Sequence, residues 1–476
     1  MISYLILALS SLIIAKICLW IINLFHKPRE GVFLRSPEDK DYYYWSLRSL
    51  IKKFPIWTTR LLPLNLLNSL LYKWFGVQTD YSNNLHGAII SSEFVEFGKN
   101  ISIGKGCYIK SSYIFDKYLI IKRIVIEDNV TIGPQCYIFP GTHILKDASL
   151  NAHSITHYNQ VLEAHGVYSG SPAQKVEQDI PYHQITKSAL KKNLFSLQNE
   201  EDPLKDPYTP FFPESRFVKK LPTHLSIFFF LYIFSYGPPM VLLFLVISEY
   251  FYPLIVNSSS LDVLLLPKNL IGLLISPFVL ISLYLLNIFL LILLTKIIYQ
   301  FLESQCPFRE GEYDWNRKNK EYRFYFIRSF LMRYLKWKIL KGPFPWLIKP
   351  AFNFIGNCAI GKNTILEDLY IAKEHLEIGH NVYLGNIIVA NHYWDKSLSV
   401  KGIKIQDKVV VSDGCCIGPG TEIGEKTSIL PLSITTKSDI LRPNSYYFDI
   451  PIQEISKEDL RKKYNFKEIF EGEEGG

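Results

Sequence analysis

The clearest candidate for acid–base chemistry lies in residues 391–396, which read Asn-His-Tyr-Trp-Asp-Lys. A histidine is the usual general base for taking a proton from an amine or hydroxyl near neutral pH, and a nearby carboxylate can orient its ring. Asp395 follows His392 by three residues, so the two side chains can meet in a bulged loop. We predict that His392 is a catalytic base and that Asp395 orients it. The alternative is a histidine of a surface loop that has no partner.

A second candidate is the run 151–157, Asn-Ala-His-Ser-Ile-Thr-His, which contains His153 and His157. The corresponding run in the second half of the chain, 430–437, has no histidine, so the fold does not require one there. This difference predicts a catalytic role for His153. The alternative is a polar residue on an outer corner of a repetitive fold.

The remaining reactive residues predict no further site. The seven cysteines form no Cys-x-x-Cys pair and no zinc spacing, so we expect no metal and interpret them as small buried side chains in a reducing compartment. Residues 418–421 (Gly-Pro-Gly-Thr) and 140–142 (Pro-Gly-Thr) lack the Lys-Ser/Thr pair and the following helix of a phosphate-binding loop. They are interpreted as corners of the repetitive fold.

An aliphatic period of six indicates the element that must hold these residues. Such a period fits neither a helix, which repeats about every 3.6 residues, nor a strand, which repeats about every two. It is typical of a triangular coil of short strands, in which each face stacks its inward residue on the coil below. The fold class is therefore mainly β, with two parallel β-helix domains. The period runs through Ile120, Ile126, Ile132, Ile138, Ile144 and Leu150, and again through Ile405, Val411, Ile417, Ile423 and Ile429.

The composition points to a membrane protein. The chain has 476 residues, enough for two or three domains, and its 48% hydrophobic content is concentrated in blocks. The formal net charge is +8, and lysines and arginines cluster beside the apolar blocks. This pattern favours an anionic membrane face over nucleic acid, for which no binding motif is present.

Three apolar runs, 1–25, 225–248 and 269–295, predict transmembrane helices. The first lacks the basic start and the cleavage site of a secretory signal peptide. Under the positive-inside rule, the flanking charges place the N-terminus outside and both β-helices in the cytoplasm, so we expect a multi-pass protein of the inner (cytoplasmic) membrane. The flanking basic residues are Lys27, Arg29, Lys219, Lys220 and Lys296.

These patterns divide the chain into segments. The aromatic and basic stretches beside the apolar runs either lie in the membrane interface or pack on the next domain. The predicted segments are a transmembrane helix (1–25), interfacial helices (26–76), a first β-helix (77–176), a linker (177–222), two transmembrane helices (223–300), interfacial helices (301–356), a second β-helix (357–455) and a charged tail (456–476).

The two halves of the chain match at an offset of about 280 residues, which indicates an internal duplication. Each half repeats an apolar run, aromatic and basic helices, and a β-helix. In this alignment Tyr113 stands where the second half has His392, whereas Asp395 is matched by Asp116. Other matches are Lys16 with Lys296, Arg29-Glu30-Gly31 with Arg309-Glu310-Gly311, Arg48 with Arg328, Pro63 with Pro343, and Gly76 with Gly356.

The six-residue period, with Gly-Ser-Pro-Ala at 170–173, resembles the hexapeptide-repeat acyltransferases. That resemblance implies left-handed β-helices, usually trimeric, that move acyl groups from coenzyme A or a carrier protein. The larger pattern of spans, repeated Arg-Glu-Gly, paired hexapeptide domains and His392-x-x-Asp395 resembles the terminal domain of membrane-bound non-ribosomal peptide synthetases of the ε-poly-lysine synthetase type. In that family, this region is thought to join a carrier-bound aminoacyl thioester to a free amine.

The chain departs from that family because it has no adenylation domain and no carrier domain, so an activated donor must come from elsewhere. One half can be catalytic while the other takes the place of the adjacent subunit in a trimeric acyltransferase. Whether the chain also forms a homo-oligomer is left open. We predict a membrane-bound acyl or aminoacyl transferase that uses a coenzyme A or phosphopantetheine-carrier thioester as donor substrate, with no permanently bound cofactor. The acceptor is a small amine or hydroxyl compound. The alternatives are a non-catalytic scaffold that docks a carrier protein and an envelope-glycan O-acetyltransferase.

Overall fold

A computed structural model of the chain describes residues 2–60, 71–85, 87–176, 216–252, 266–313, 320–356, 358–367, 370–372, 374–394 and 398–466. The chain forms two compact units. The first unit comprises residues 1–216 together with 454–476, and the second comprises residues 217–453. In each unit, helices precede a stack of short parallel strands.

The strands are mostly two to four residues long. In chain order up to residue 175, the elements are α1 (Ile2–Phe25), β1 (Gly31–Leu34), α2 (Lys40–Arg60), β2 (Ile89–Ile90), β3 (Val95–Phe97), β4 (Ser102–Ile103), β5 (Tyr108–Ile109), β6 (Ser112–Phe115), β7 (Tyr118–Ile121), β8 (Ile124–Ile126), β9 (Thr131–Ile132), β10 (Tyr137–Ile138), β11 (His143–Ile144), β12 (Ser149–Leu150), β13 (Val161–Leu162), β14 (Val167–Ser169) and β15 (Gln174–Lys175).

From residue 216 onward they are α3 (Arg216–Val246), a π-helix (Ile247–Phe251), α4 (Pro267–Gln305), β16 (Gly311–Tyr313), α5 (Lys320–Leu340), a 3-10 helix (Pro345–Leu347), α6 (Ile348–Ile355), β17 (Cys358–Ile360), β18 (Ile365–Leu366), β19 (Leu376–Ile378), β20 (Tyr383–Leu384), β21 (Ile388–Val389), β22 (His392–Trp394), β23 (Leu398–Val400), β24 (Ile403–Ile405), β25 (Val410–Val411), β26 (Cys416–Ile417), β27 (Glu422–Ile423), β28 (Ser428–Ile429), β29 (Ile440–Leu441), β30 (Tyr446–Phe448), β31 (Gln453–Ile455) and α7 (Lys457–Lys463).

The strands of the first unit stack into three sheets, ordered β10-β5-β2, β13-β11-β8-β3 and β15-β14-β12-β9-β4. His143 pairs in parallel with Val125 on one side and with Val161 on the other, 18 residues away in each direction. One coil therefore has three faces of six residues, as the aliphatic period predicts. The inward positions from Ile126 to Leu150 are buried, whereas Ile120 lies on β7, outside the coil.

The second unit repeats this arrangement. Its coil strands form the sheets β17-β19-β24-β27-β29 and β18-β20-β25-β28-β30 and the pair β21-β26. Glu422 pairs in parallel with Lys404 and Ile440, again at intervals of 18 residues. Each inward position of the second predicted run is buried. The left-handed sense of the coils stays a prediction.

One hairpin interrupts the coil in each unit. In the first unit β6 and β7 pair in antiparallel fashion and β1 adds to β7. In the second unit β22 and β23 pair in the same way and β16 adds to β23. The predicted bulged loop at 391–396 is therefore wrong over His392–Trp394, which form strand β22. In each unit, the strand that follows Arg-Glu-Gly pairs with the hairpin. The hairpin residues therefore adopt an extended conformation.

The repeated Arg-Glu-Gly motif fastens that added strand to the coil. The carboxylate of Glu30 accepts a hydrogen bond from the main-chain N–H of Arg123, 3.1 Å away. Glu310 accepts one from the main-chain N–H of Gly402 at 2.9 Å. The glutamate in each half thus caps the residue that precedes the next coil strand, which explains why the motif recurs.

An ion pair between a buried arginine and a glutamate joins the helices to the coil in each unit. In the second unit, Nε of Arg328 lies 3.2 Å from the carboxylate of Glu374, and the two side chains are 2% and 1% exposed. In the first unit, Nε of Arg48 lies 3.2 Å from Glu93, which is 20% exposed and also bonds Lys52 at 2.5 Å. These are the arginines that the two halves of the sequence share.

The predicted membrane segments are found in part. Among the described residues, Leu225–Phe251 and Asn269–Gln305 are helices long and apolar enough to cross a membrane, whereas the apolar part of α1, Ser10–Phe25, is shorter. The third span therefore stays a prediction. In the second unit, one face of the predicted interfacial helices packs on the coil core, for example through Leu335 and Phe352.

The C-terminal segment packs into the first unit. After α7, Tyr464 and Phe466 are fully buried. The ring centroid of Phe466 lies 5.0 Å from that of Phe115 and 5.9 Å from that of Phe139. The predicted charged tail thus begins with a helix whose end supplies core aromatics. Its residues 467–476 lie outside the described residues.

Replacing Arg328 with alanine should destabilise the second unit by about 3–5 kcal/mol, because it leaves the carboxylate of Glu374 buried without its cation. Arg48→Ala should cost less, since Glu93 is partly hydrated and keeps Lys52. Denaturant unfolding, with hydrogen exchange at β19 and β3 to assign the loss to a unit, measures both changes. Lys404→Ala, which breaks an exposed pair with Glu422, is the control and should cost about 0–1 kcal/mol. Equal losses for Arg328 and Lys404 would contradict the anchoring role.

Replacing Phe466 with alanine should destabilise the first unit by about 3–5 kcal/mol, because it empties a fully buried aromatic site. The measurement is denaturant unfolding, with exchange at β6 and β10 as the local readout. Lys462→Ala, on the exposed side of α7, is the matched control. A loss under about 1 kcal/mol would mean that the segment is dispensable to the first unit.

Candidate functional site

His392 lies at the start of β22, where the hairpin of the second unit leaves the coil. It is half-buried and stands opposite Val400 in the antiparallel ladder. Its Nδ1 atom is 3.4 Å from Oδ1 of Asn391. Its imidazole therefore sits on regular backbone whose position is set by the neighbouring strand.

Asn391 forms the base of this hairpin. It is buried, and its Nδ2 donates a hydrogen bond of 2.8 Å to the main-chain oxygen of Glu374. Its main-chain oxygen accepts one of 3.0 Å from the N–H of Lys401. Both strands of the hairpin are thus held where they leave the coil.

Tyr325 of α5 supplies an aromatic wall beside the histidine. The centroids of the Tyr325 and His392 rings are 6.2 Å apart. Tyr325 is buried, and burial raises the pKa of its phenol. The hydroxyl therefore stays protonated at neutral pH and can donate a hydrogen bond, but it does not serve as a base.

The hydrogen bonds correct the alignment of the two halves at this hairpin. In the first unit, Ser111 Oγ donates to the main-chain oxygen of Glu93 at 2.6 Å, as Asn391 does to Glu374. Ser111 therefore corresponds to Asn391, and the counterpart of His392 is Ser112. The match between His392 and Tyr113 is wrong by one residue, because the second hairpin is one residue shorter across its turn.

The same register makes Tyr113 the counterpart of Tyr393, and the two environments differ. Tyr113 is buried, with its ring centroid 4.9 Å from that of Phe139. Tyr393 is 54% exposed. The coil positions that hold Tyr137 and Phe139 in the first unit hold Cys416 and Gly418 in the second. An aromatic cluster therefore covers Tyr113 in the first unit, whereas Tyr393 is exposed in the second. Because side chains alternate along a strand, His392 lies on the opposite face of β22, towards Tyr325.

The other predicted site residues lie elsewhere. Asp395 lies outside the described residues, and its predicted role stays a prediction. His153 is in the first unit, exposed on a coil corner with a left-handed φ of 56°, directly above Gln135 with 55°. His157 is half-buried, with Nδ1 3.0 Å from the main-chain oxygen of Tyr158. The corner accounts for a polar residue at His153, and its catalytic role is untested.

The structure also contains a histidine–carboxylate pair that the sequence analysis missed. Nε2 of His26 lies 3.2 Å from the carboxylate of Asp41, and its ring stacks on Tyr44 with centroids 4.8 Å apart. The second half has Cys306 and Glu321 at the matching positions. This difference between the two halves of the sequence could have marked His26 as a candidate site residue.

An open groove of about 570 Å³ runs along the outer face of the sheet β17-β19-β24-β27-β29. Charged residues of both signs line it, including Glu377, Lys404, Glu422 and Arg442, and His392 is not among its lining residues. Across the described ranges, no group of three or more His, Cys, Asp and Glu side chains is placed to hold a metal ion. Burial raises the pKa of the Cys416 thiol, so it remains protonated at neutral pH.

No protein-family model and no curated protein matches this chain. Solved structures match parts of it. The N-acyltransferase AntD of Bacillus cereus, as a point mutant in complex with dTDP-4-amino-4,6-dideoxyglucose and coenzyme A, is 17% identical over 21% of this chain, with a TM-score of 0.17. A hexapeptide-repeat-containing acetyltransferase of Vibrio cholerae, in complex with acetyl coenzyme A, is 13% identical over 26% of this chain, with a TM-score of 0.23. Serine acetyltransferase of Brucella abortus is 17% identical over 28%, with a TM-score of 0.18.

The matched stretches cover 60% of the Bacillus cereus enzyme, 84% of the Vibrio cholerae enzyme and 51% of the Brucella abortus enzyme. They are likenesses at low identity. The activities and ligands in those names belong to the matched enzymes.

Proposed function

We propose that the protein is a membrane-bound acyl or aminoacyl transferase with His392 as its general base. The observation that carries this proposal is the half-buried imidazole at the base of the second hairpin, beside the ring of Tyr325, where the first hairpin has Ser112. A histidine that only one of two duplicated hairpins carries suits a general base for a small acceptor.

The donor is a thioester of coenzyme A or of a phosphopantetheine carrier, and the acceptor is an amine or a hydroxyl compound. His392 takes the proton of the attacking N–H or O–H group as the nitrogen or oxygen of that group bonds to the thioester carbonyl carbon. The carbon–sulfur bond then breaks, and the imidazolium returns the proton to the departing thiolate. The products are an amide or ester and a free thiol, so the step needs no resident cofactor.

The first unit serves as a non-catalytic partner in this proposal, because its hairpin has Ser112 in place of the base. The resemblance to the terminal domain of ε-poly-lysine-type synthetases favours a carrier-bound aminoacyl donor and amide formation. A coenzyme A donor with a glycan hydroxyl acceptor is the corresponding O-acetyltransferase. Donor choice separates these two forms of the same chemistry.

His392→Ala should lower turnover about 100- to 10,000-fold, the usual contribution of a positioned general base. The measurement is acceptor-dependent thiol release by purified protein, offered acyl-coenzyme A and aminoacyl-carrier thioesters with amine and sugar acceptors. Ser112→Ala in the first unit is the matched control and should leave turnover unchanged. Full activity in His392→Ala would rule out this base, and carrier binding without turnover would favour the docking scaffold.

The proposed topology has three membrane crossings, with the N-terminus outside and both coils in the cytoplasm. Cysteines introduced at the exposed Lys105 and Lys362 should then resist a membrane-impermeant maleimide in intact cells and react after permeabilisation. Replacing the partly exposed Cys18 and Cys416 with alanine removes the background. Labelling of either introduced cysteine in intact cells would contradict this topology.

A further inference from the structure

Asn391 is placed to control the protonation pattern of His392. It is only 2% exposed, and a single hydrogen bond fixes which way its amide points. The group that faces it is the main-chain oxygen of Glu374, 2.8 Å from Nδ2. A carbonyl oxygen only accepts hydrogen bonds, so the amide nitrogen must be the atom on that side.

The amide oxygen therefore faces the histidine. Oδ1 of Asn391 lies 3.4 Å from Nδ1 of His392, and an amide oxygen also only accepts. The favourable arrangement has the proton on Nδ1. A neutral imidazole protonated at Nδ1 carries its lone pair on Nε2, so Nε2 is the nitrogen that can take a proton.

We propose that Asn391 is a positioning residue that holds His392 in the Nδ1-protonated tautomer and thereby assigns the role of base to Nε2. This inference rests on the proposed function for its catalytic meaning, but the tautomer can be measured by itself. It gives Asn391 the orienting role that the sequence analysis gave to Asp395.

Comparison with the first unit separates the two roles of Asn391, which are to hold the hairpin on the coil and to orient the histidine. Ser111 makes the same bond to the coil through a hydroxyl, 2.6 Å from the main-chain oxygen of Glu93. The fold therefore requires a donor at this position but not an amide. The additional oxygen of Asn391 occurs in the unit that has a histidine next in sequence, whereas Ser112 follows Ser111.

The support behind Asn391 is rigid. Glu374, whose main-chain oxygen it bonds, is held through its carboxylate by Arg328 at 3.2 Å. Arg328 also donates a hydrogen bond of 2.6 Å to the main-chain oxygen of Cys306. A chain of buried contacts thus runs from the end of α4 to the imidazole of His392, which suits a group that must hold one orientation.

The test compares wild type with Asn391→Ser, which copies the first unit and keeps the donor to Glu374 while removing Oδ1. Full-length protein with ¹⁵N-labelled histidine, purified in detergent, reports the tautomer of each neutral imidazole. The signal of His392 is identified by its loss in His392→Gln. Wild type should show Nδ1 protonated, and Asn391→Ser should shift His392 toward the Nε2-protonated form. Asn391→Thr replaces the serine variant if the latter fails to fold.

The kinetic arm uses the same proteins. Asn391→Ser should lower kcat on the order of 10- to 100-fold, as expected when an outer group that orients a catalytic histidine is lost. KM should stay within about two-fold, because Asn391 is buried and has no surface to offer to an acceptor. Ser111→Asn, the reciprocal change in the first unit, is the control and should alter neither the His392 signal nor kcat.

An Nε2-protonated His392 in wild type, or a tautomer that Asn391→Ser leaves unchanged, would overturn the inference. An unchanged kcat despite a changed tautomer would also overturn the positioning role. If the tautomer behaves as expected but no thioester supports turnover in wild type, then the proposed function fails while the orientation of His392 by Asn391 stands.

Discussion

The pair of a buried arginine and a glutamate is the interaction on which each unit depends. A guanidinium withdrawn from water is costly unless its charge and its donors are matched, so its partners must be held in place. Arg328 and Arg48 each meet a glutamate at the start of the coil, and each also donates to the main-chain oxygen that follows the preceding apolar helix. One side chain therefore ties together the apolar helix, the amphipathic helix and the first coils. The main-chain oxygen of the same glutamate then anchors the hairpin, so the position of His392 follows from this charge pair.

The two units use this common base differently. Both add a strand after Arg-Glu-Gly to a hairpin, and both pin that hairpin through a side-chain donor, Ser111 or Asn391. The first unit then fills the outer face of the hairpin with aromatic rings, whereas the second places small residues and an exposed tyrosine there. Duplication thus gives two copies of one hairpin, of which the first has a covered outer face and the second has an exposed one.

The repetitive parts of this fold could be predicted because every coil imposes the same demand. The inward position recurs every sixth residue, and a period in the sequence reports it directly. The addition of β1 and β16 to the hairpins could not be predicted, because they pair with strands about 90 residues further along the chain. Strand pairing at that distance leaves no local pattern. The same holds for Asn391, because its hydrogen bond to the main-chain oxygen of Glu374 follows from the fold of the coil and not from a pattern in the sequence. Alignment of the two halves of the sequence gave Tyr113 as the counterpart of His392, one residue after the true counterpart, Ser112. The turn of the second hairpin is one residue shorter, which shifts the alignment within the hairpin and leaves the matches on either side of it unchanged.

The return of residues 454–466 to the first unit gives the chain an order of assembly during its synthesis. The ribosome must complete the whole of residues 217–453 before the ring of Phe466 becomes available. Until then the aromatic face of the first coil is exposed. A chain that stops early keeps this surface exposed, which makes it prone to aggregation. The first unit is therefore fully packed only after residues 454–466 have been synthesised.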